Sequence, residues 1–388
     1  MKFKRIYFVN AGEPLPIEGN KPHRMSHWMT KLSQKGYDIS FITTDFEHQR
    51  KIWITQKKIP KGYHLLKSRF GYKKNVSIKR LANHYFLGKS LKKMLLNLEK
   101  PDLIVCSYPT IYMSYIATIY GKKNDIPVLV DVRDLWPDIF INPIIGRFLL
   151  FPLYIQKNFI FSNATIIAGV SPRYVEWATS DSSSMLNVLP LTQYSPIPKG
   201  REVLNSRNPL KLIFVGTLGD TYDLDLINKI SESLTLSQIN HEIVVCGDGP
   251  KKEAFLKATE LIPQVIFLGW LKKKDLDLVL KSSHIGLMLY KDTSPQGWPN
   301  KLIEYMSFGL PVVNSLPGES WKLIREERVG INIEHGNLEP MISWIKKEVI
   351  PNYQHNSEQT LKVFKEFFDE ETTFNKLLKI IDDVTTNS

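Results

Sequence analysis

Residues 294–315 read SPQGWPNKLIEYMSFGLPVVNS, and three kinds of local structure follow one another in this stretch. A loop rich in Pro and Gly leads into a segment with apolar residues at helical spacing, which ends at Gly309. Pro311 then opens an apolar run that is typical of a buried strand. A loop, a helix and a strand in this order indicate one unit of an α/β fold with parallel strands.

The same pattern recurs in both halves of the chain. Apolar runs alternate with helical spacing, and NDIPVLVDV in the first half resembles FGLPVVNS in the second. The predicted strands are 5–10, 38–43, 103–107, 127–132 and 165–170, and then 210–216, 241–246, 265–268, 284–289 and 310–314. This alternation predicts two similar α/β domains in tandem, with a ligand beyond the carboxyl ends of the strands, between facing domains.

The length of 388 residues also favours two domains, because one hydrophobic core rarely organises so long a chain. We place the first domain at residues 1–205 and the second at 206–360, and a helix around 361–388 is a candidate to pack back on the first. Cys106 and Cys246 lie in apolar runs, which predicts buried free thiols in a reducing compartment. The sequence shows no signal peptide or membrane span, so we expect a cytoplasmic protein.

The net charge of +12 is concentrated in the first half. Residues 1–200 hold 29 basic and 13 acidic side chains. No acidic residue occurs between Glu47 and Glu99, where fourteen Lys and Arg are interleaved with aromatic residues. Such a field attracts phospholipid head groups, a lipid-linked pyrophosphate or a nucleic acid, although no nucleic-acid recognition motif is present. The alternative is a solubilising surface with no specific partner.

The opening stretch carries candidate binding residues. Pro299 suits the first turn of a helix, whose free N–H groups and dipole can bind a phosphate. Glu304 follows about one turn later, where its two carboxylate oxygens can accept hydrogen bonds from neighbouring ribose hydroxyls. Lys301 would place a positive charge close to the phosphates. The alternative is that both charged side chains are ordinary surface residues.

Here the sequence resembles a known family. SPQGWPNKLIEYMSFGLPVV is similar to the donor-binding motif of family-four glycosyltransferases, which are retaining enzymes of the GT-B fold. VCGDGPKKEAF, VIFLGWLKKKDL and SNATIIAGVSP resemble further family segments, and IPVLVDVRDLWPD resembles the form found in bacterial polysaccharide-assembly members. The resemblance spans most of the chain and implies a UDP- or GDP-sugar donor. The donor-binding residues that it implies are Gly216, Thr217, Gly247, Asp248, Gly249, Leu271, Gly297, Trp298, Pro299, Asn300 and Glu304.

The sequence departs from the family pattern at three positions. The first of the two family glutamates, which lies near the donor sugar, falls on Gln296, and an amide keeps hydrogen bonding but loses the charge. The Arg and Lys that hold the donor diphosphate in the family fall on Thr217 and Tyr222. Because negative charge develops on the leaving diphosphate, we expect Lys301, Arg133 and backbone N–H groups to replace the missing cations.

Further candidates lie in the first domain. Arg133, where many family members carry a His, can stabilise a developing anion, and Asp134 can orient Arg133 or a sugar hydroxyl. An internal ion pair between Arg133 and Asp134 is the alternative. The loop after the first strand supplies the candidate acceptor contacts Gly12, Glu13, His23 and Arg24. His23 and His27 lie four residues apart without further ligands, so we expect no metal site.

These features predict a retaining glycosyltransferase that needs no metal or other cofactor. Its predicted acceptor is a lipid-linked saccharide, used in bacterial surface-polysaccharide (O-antigen or capsule) synthesis at the inner face of the cytoplasmic membrane. Residues 146–161 fit either a helix in the lipid interface or a core helix. Two alternatives for the function are a nucleotide-sugar epimerase on the same fold and a non-catalytic partner subunit of a transferase. The second is motivated by Gln296, Thr217 and Tyr222.

Overall fold

The computed structural model describes residues 4–13, 15, 23–48, 50–55, 59–73, 77–138, 150–179, 184–192, 208–294, 296–334 and 336–386. The chain divides into two compact units. Unit 1 is Met1–Pro190 together with Phe374–Ser388, and unit 2 is Leu191–Thr373. The domain boundary expected between residues 205 and 206 lies outside the described residues.

Each unit contains one sheet in which all neighbouring strands are parallel. The strands of unit 1 are β1 (Arg5–Val9), β2 (Asp38–Thr44), β3 (Phe46–Glu47), β4 (Ile52–Trp53), β5 (Tyr63–Leu66), β6 (Leu103–Tyr108), β7 (Val128–Val132), β8 (Ile166–Gly169) and β9 (Met185–Val188). Those of unit 2 are β10 (Leu210–Val215), β11 (His241–Cys246), β12 (Val265–Gly269), β13 (Ile285–Met288), β14 (Val312–Asn314) and β15 (Gly330–Asn332). The sheet orders are β5-β2-β1-β6-β7-β8-β9 and β12-β11-β10-β13-β14-β15, while β3 and β4 form a separate antiparallel hairpin.

Helices connect the strands. Unit 1 contains α1 (Arg24–Gln34), α2 (Ile78–Asn97), α3 (Ile111–Asn124), α4 (Phe151–Asn163) and α5 (Pro172–Ala178). Unit 2 contains α6 (Asp225–Leu236), α7 (Lys252–Thr259), α8 (Lys273–Ser282), α9 (Asn300–Ser307), α10 (Glu319–Glu327), α11 (Glu339–Trp344) and α12 (Ile350–Phe367), with a π-helical turn at Ile345–Val349. The last helix, α13 (Glu370–Thr386), begins in unit 2 and continues into unit 1. This architecture confirms the predicted α/β class with two parallel-sheet domains.

Apolar side chains cover both faces of each sheet. Successive residues of a strand point to opposite faces, so in β1 Ile6 and Phe8 join one core of unit 1 while Tyr7 and Val9 join the other. All residues of β6 and β7 are buried, as expected for central strands of a parallel sheet with helices on both sides. Sequence runs without polar alternation therefore mark the centre of each sheet.

The C-terminal helix packs on the unit 1 sheet. Phe374, Leu377 and Ile381 of α13 belong to the same core as Ile6 of β1 and Trp28 of α1. The single helix expected around 361–388 is in fact two helices, α12 and α13. The carboxylate of Asp369 accepts hydrogen bonds from the N–H groups of the residues two and three positions later, at 3.0 and 3.3 Å, and so begins a new helix.

No predicted strand corresponds to β3, β4, β5, β9 or β15, and no predicted helix corresponds to α2. The strands β9 and β15 lie at sheet edges, where they are only partly buried and their sequences carry no continuous apolar signal. The helix α2 lies within the acid-free segment, where Lys, Asn and His interrupt its apolar residues.

The two cysteine thiols are in the state that the sequence predicts. Cys106 and Cys246 are buried and free, as predicted, and burial raises their pKa values to about 12 and about 11.

The segment 146–161, predicted as an interfacial or a core helix, is described only from residue 150 onwards, because its first four residues lie outside the described residues. In α4, Phe151 and Ile155 are exposed whereas Ile160 is buried, so one face of this helix joins the core. Across the residues described here, each helix is too short or too polar to cross a bilayer.

We expect Ile381→Ala to lower the free energy of unfolding by about 2–5 kcal/mol, because Ile381 is fully buried and its truncation leaves a cavity under α13. Lys379→Ala, on the exposed side of the same helix, is the control and should change this free energy by less than about 0.5 kcal/mol. Urea denaturation followed by tryptophan fluorescence measures both variants. Equal effects of the two substitutions would contradict the packing of α13 on unit 1.

Candidate functional site

Loops that follow β10, β11 and β12 meet at the carboxyl edge of the unit 2 sheet. Gly216 N–H donates to Cys246 O at 2.9 Å, and Gly247 N–H donates to Gly269 O at 2.8 Å. A Cβ atom on Gly247 would lie 1.8 Å from Gly216 O, so only glycine lets these two turns approach so closely. The carboxyl edge of a parallel sheet is where ligands of such folds bind.

A cavity of about 240 Å³ opens beside these turns. Its lining includes five of the residues predicted to bind the donor, namely Gly216, Thr217, Gly247, Asp248 and Leu271. Gly249 lies in the same turn, where a Cβ atom would come within 2.4 Å of Leu218 O. Trp270 also lines the cavity and is 71% exposed, although it is absent from the predicted residues. An aromatic residue directly after the glycine that ends β12 was the signal that could have identified it, because an exposed indole can stack on a planar ligand.

The loop before α9 differs in two details from its prediction. Pro299 is the N-cap of α9 and Asn300 its first residue, so Pro299 precedes the first turn, which contains no acidic residue. Trp298 packs edge-on against Phe368, with ring centroids 5.2 Å apart. Ser320 Oγ donates to Gly297 O. The Trp298 side chain therefore anchors the loop to unit 2, and its contact with the donor stays a prediction.

Lys301 is buried directly beneath the Gly216 turn. Its Nζ lies 3.6 Å from the Phe214 ring centroid and 3.7 Å from that of Tyr222, and a Cβ atom on Gly216 would be 2.6 Å from it. Within the described part of the chain, this Nζ has no hydrogen-bond partner. Burial lowers the pKa of Lys301 well below its ordinary value, and the charge of Glu304 opposes this shift. Because aromatic faces attract a cation, the two rings also offset part of the burial cost.

Glu304 is a partly buried residue of α9. Its side chain is 18% exposed, and its Oε1 is 3.7 Å from Lys273 Nζ. This separation is too long for a hydrogen bond, and the ammonium of Lys273 is closer to Asp277. Gln296 is partly buried in the loop that precedes α9. The carboxylate of Glu304 is thus partly open to solvent beside a lysine that is itself engaged elsewhere.

Glu13 and Arg133 form an ion pair in unit 1. Arg133 donates to Glu13 Oε1 at 2.9 Å, and the Glu13 carboxylate also accepts from the backbone N–H groups of Met25 and Ser26 at 3.1 Å. The negative charge stabilises the first turn of α1. The side chain of Glu13 is only 1% exposed, and its role as an acceptor contact stays a prediction. The expected alternative of an ion pair between Arg133 and Asp134 is replaced by the pair with Glu13.

Arg24 is the second buried cation of this region. Its guanidinium donates to Asp131 at 3.2 Å and to the backbone carbonyls of Leu189 and Pro190. The side chain is 1% exposed and that of Asp131 is fully buried. Arg24 therefore connects α1, β7 and the backbone that follows β9, and its contact with an acceptor stays a prediction.

The remaining unit 1 candidates have local roles in the structure. Gly12 N–H donates to Asn10 Oδ1 at 2.7 Å, and His23 is the N-cap of α1. Burial lowers the pKa of His23. Asp134 accepts from Leu135 N–H, and burial raises the pKa of its carboxyl group. Among the residues that the structure covers, no group of three or more His, Cys, Asp or Glu side chains could hold a metal ion.

Comparison with known proteins agrees with this geometry. Residues 209–347, less than half of the chain, match the family model described as glycosyl transferases group 1. No curated protein sequence matches the chain. The chain is similar to the solved structure of HepE from Anabaena in complex with UDP, with 15% identity and a TM-score of 0.66 over 98% of this chain and 100% of that one.

Two further structures show the same fold. The lipopolysaccharide outer core galactosyltransferase WaaB has 17% identity and a TM-score of 0.64, covering 98% of this chain and 99% of that chain. Sucrose-phosphate synthase from Thermosynechococcus elongatus has 11% identity and a TM-score of 0.69, covering 99% and 100%. The fold is therefore GT-B, and these matches together with the family model support a glycosyltransferase.

We expect Lys301→Met to leave the stability of the protein unchanged or to raise it, because a buried amine without a hydrogen bond is costly in the folded state. The advantage over wild type should shrink as pH rises from the lowered pKa of Lys301 towards 10.5, since in that window the unfolded chain holds a proton that the folded chain has released. Denaturation curves at several pH values measure this, with the exposed Lys322→Met as control. A clear loss of stability in Lys301→Met at neutral pH would contradict it.

Proposed function

We propose that the protein transfers a sugar from a nucleoside-diphosphate sugar to a saccharide acceptor, with retention of configuration at the sugar. The observation that carries this proposal is the placement of Lys301 under the Gly216 turn, next to the start of α9. The amine lies against the Gly216 turn, and the first turn of α9, which carries Lys301, contains no acidic residue. Such a combination suits a diphosphate whose negative charge increases as the sugar leaves.

Each residue of the unit 2 edge has a task in this proposal. Lys301 and the N–H groups at the start of α9 bind the diphosphate, and Glu304 accepts hydrogen bonds from two ribose hydroxyls. Trp270 offers its exposed ring to the base. Gln296 donates a hydrogen bond to the sugar, at the position where the family that the sequence resembles has a carboxylate. Contacts of Arg133 and Asp134 with the sugar and the leaving group remain predictions.

The bound diphosphate favours the charged form of Lys301. Desolvation disfavours an ammonium that has no partner, whereas a phosphate anion within reach stabilises it. Lys301 would thus supply the positive charge that Thr217 and Tyr222 lack, and the Tyr222 ring would help to hold it. In this proposal, the single lysine Lys301 replaces the two phosphate-binding cations of the family pattern.

The proposed acceptor is a lipid-linked saccharide of a bacterial surface polysaccharide, met at the inner face of the cytoplasmic membrane. The basic, acid-free segment of unit 1 supports an anionic partner. A second support is the similarity to WaaB, which is named as a lipopolysaccharide outer core galactosyltransferase. HepE, which is also similar, has been crystallised with UDP and with UDP-glucose. These parallels favour a UDP-sugar as the first donor to test.

We expect Glu304→Ala to weaken the binding of UDP or GDP by about tenfold to a hundredfold, because hydrogen bonds to a charged group contribute about 1.5–3 kcal/mol. Isothermal titration calorimetry measures the affinity, and transfer from the sugar nucleotides measures activity. The exposed Glu326→Ala on α10 is a matched control and should bind like wild type. Unchanged affinity and activity in Glu304→Ala would refute the assignment.

The same titration separates the alternatives. A non-catalytic subunit that has lost its donor site should bind neither nucleotide, and this result for the wild-type protein would overturn the proposed function. A nucleotide-sugar epimerase would convert the donor sugar in an assay without acceptor, whereas the proposed transferase should leave the identity of that sugar unchanged.

Removal of divalent metals with EDTA is expected to leave the transfer rate unchanged within about twofold, since Lys301 and backbone donors supply the positive charge at the diphosphate. Assays with and without added Mg²⁺ or Mn²⁺ measure this. Loss of activity in EDTA that either metal restores would contradict the prediction of a metal-independent reaction.

A further inference from the structure

The acid-free segment between Glu47 and Glu99 has no task in the reaction proposed above, yet the structure gathers part of it into one group. We name this group the Tyr72 cluster, and it consists of His48, Lys51, Tyr72, Arg80 and His84. The hydroxyl of Tyr72 is 2.7 Å from His48 Nδ1. The ring centroid of Tyr72 lies 5.3 Å from Lys51 Nζ and 5.8 Å from Arg80 Cζ.

Arg80 is the most deeply placed cation of the cluster. It is 9% exposed, and its guanidinium carbon lies 4.2 Å from the ring centroid of Trp136. Its Nε donates to His84 Nε2 at 3.4 Å. Arg80 also lies in the first turn of α2, which contains no acidic residue, and there its charge has the same sign as the end of the helix dipole. A bound anion would offset both the cost of burying the Arg80 charge and its repulsion from the positive end of the α2 dipole.

The two imidazoles of the cluster lie in a positive electrostatic potential. Burial lowers the pKa of His48 to about 4 and that of His84 to about 3. The charge of Arg80 contributes to both shifts, and the charge of Lys51 contributes to that of His48. Lys51 Nζ is 3.3 Å from His48 Nδ1, and burial together with Arg80 also lowers the pKa of Lys51. Each positive charge in the cluster therefore makes a further positive charge, on an imidazole or on Lys51, less favourable.

Two carboxylates flank the cluster. Glu47 forms an ion pair with Arg50 at 3.3 Å. Asp134 interacts electrostatically with Arg80, and burial raises the pKa of the Asp134 carboxyl group. The sequence supplies no other acidic residue from 48 to 98, including the positions that lie outside the described residues. The segment that supplies Arg80 and Lys51 therefore contains no carboxylate of its own between Glu47 and Glu99.

The cluster also lies where a ligand can be expected. Trp136 and Asp134 follow the carboxyl end of β7, and His48 follows β3 shortly after the carboxyl end of β2. Parallel sheets of this kind bind their ligands at this edge. His48 and Lys51 are partly exposed, so the cluster is reachable from solvent on one side.

We propose that the Tyr72 cluster binds one phosphoryl group of a phosphate or diphosphate ester, with Arg80 and Lys51 as its cationic ligands. A bilayer surface would be met by protruding lysines, whereas Arg80 is reached only by a group that enters the cluster. The assignment of this phosphoryl group to a lipid-linked acceptor rests on the proposed function. The binding itself does not depend on it.

Histidine side-chain NMR of the whole protein, titrated with inorganic pyrophosphate, tests the site. A bound anion favours protonated imidazole, so the pH titrations of His48 and His84 should move to higher pH. His241 and His284 lie in unit 2 and serve as internal references that should not move. Variants with His48→Gln and His84→Gln assign the signals. No movement of either signal at millimolar pyrophosphate would overturn the proposal.

Lys51→Asn provides the matched variant. Lys51 has a backbone φ of 60°, a conformation that asparagine tolerates, so the substitution removes the charge without new backbone strain. We expect pyrophosphate affinity at His48 and His84 to fall about tenfold, as for the loss of one charge-assisted hydrogen bond. The exposed Lys92→Gln on α2 is the control and should bind like wild type. An equal loss in both variants would indicate a diffuse charge effect and would overturn the proposed site.

The source of the phosphoryl group is decided by comparing probes. Movement of the His48 and His84 signals at lower concentrations of a polyprenyl diphosphate in detergent than of pyrophosphate supports a lipid-linked ligand. Equal concentrations support a soluble phosphate ester in the same site. Movement with anionic phospholipid vesicles but not with pyrophosphate would overturn the proposal in favour of a membrane surface. No nucleotide is present, so the outcome is independent of the Glu304→Ala test.

Discussion

The carboxyl edge of unit 2 depends on one buried amine. Lys301 reaches back from α9 to lie between the rings of Phe214 and Tyr222, directly under the Gly216 turn. The helix that carries it is fixed to the sheet by Tyr305, whose hydroxyl accepts from the backbone N–H of β10 at 2.9 Å and donates to the backbone of β13 at 3.3 Å. This anchoring leaves the lysine little freedom, and its charge is available only at that turn.

The same constraint accounts for the departures from the family pattern. The family that the sequence resembles has a lysine in the loop after β10. This chain has Tyr222 at that position, and the Tyr222 ring packs against Lys301 Nζ. A cation brought from α9 would thus occupy the region that the family fills from the loop. In the proposed function, this exchange would move the charge from the loop after β10 to a buried position, where the field of a single charge is stronger because less water screens it.

Unit 1 uses its charges differently. The ion pairs of Glu13 with Arg133 and of Arg24 with Asp131 connect the first turn of α1 to the end of β7. They organise this edge of the sheet, and removing one partner would leave the buried charge of Glu13, Arg24 or Asp131 uncompensated. The Tyr72 cluster, by contrast, gathers two cations and two imidazoles from a segment without acidic residues, and for this reason we propose it as a binding site.

The sequence by itself determined the α/β class, the two sheets and most of their strands, because a buried parallel strand is an apolar run and its helix stop is a glycine or proline beside it. It also indicated Glu304 and the glycine turns at 216 and 247, since these need a particular residue type at a particular spacing. Only the tertiary structure decided which charges are buried, that Trp270 lines the cavity and that α13 belongs to unit 1. Burial and pairing depend on residues far apart in the chain, and no local pattern records them.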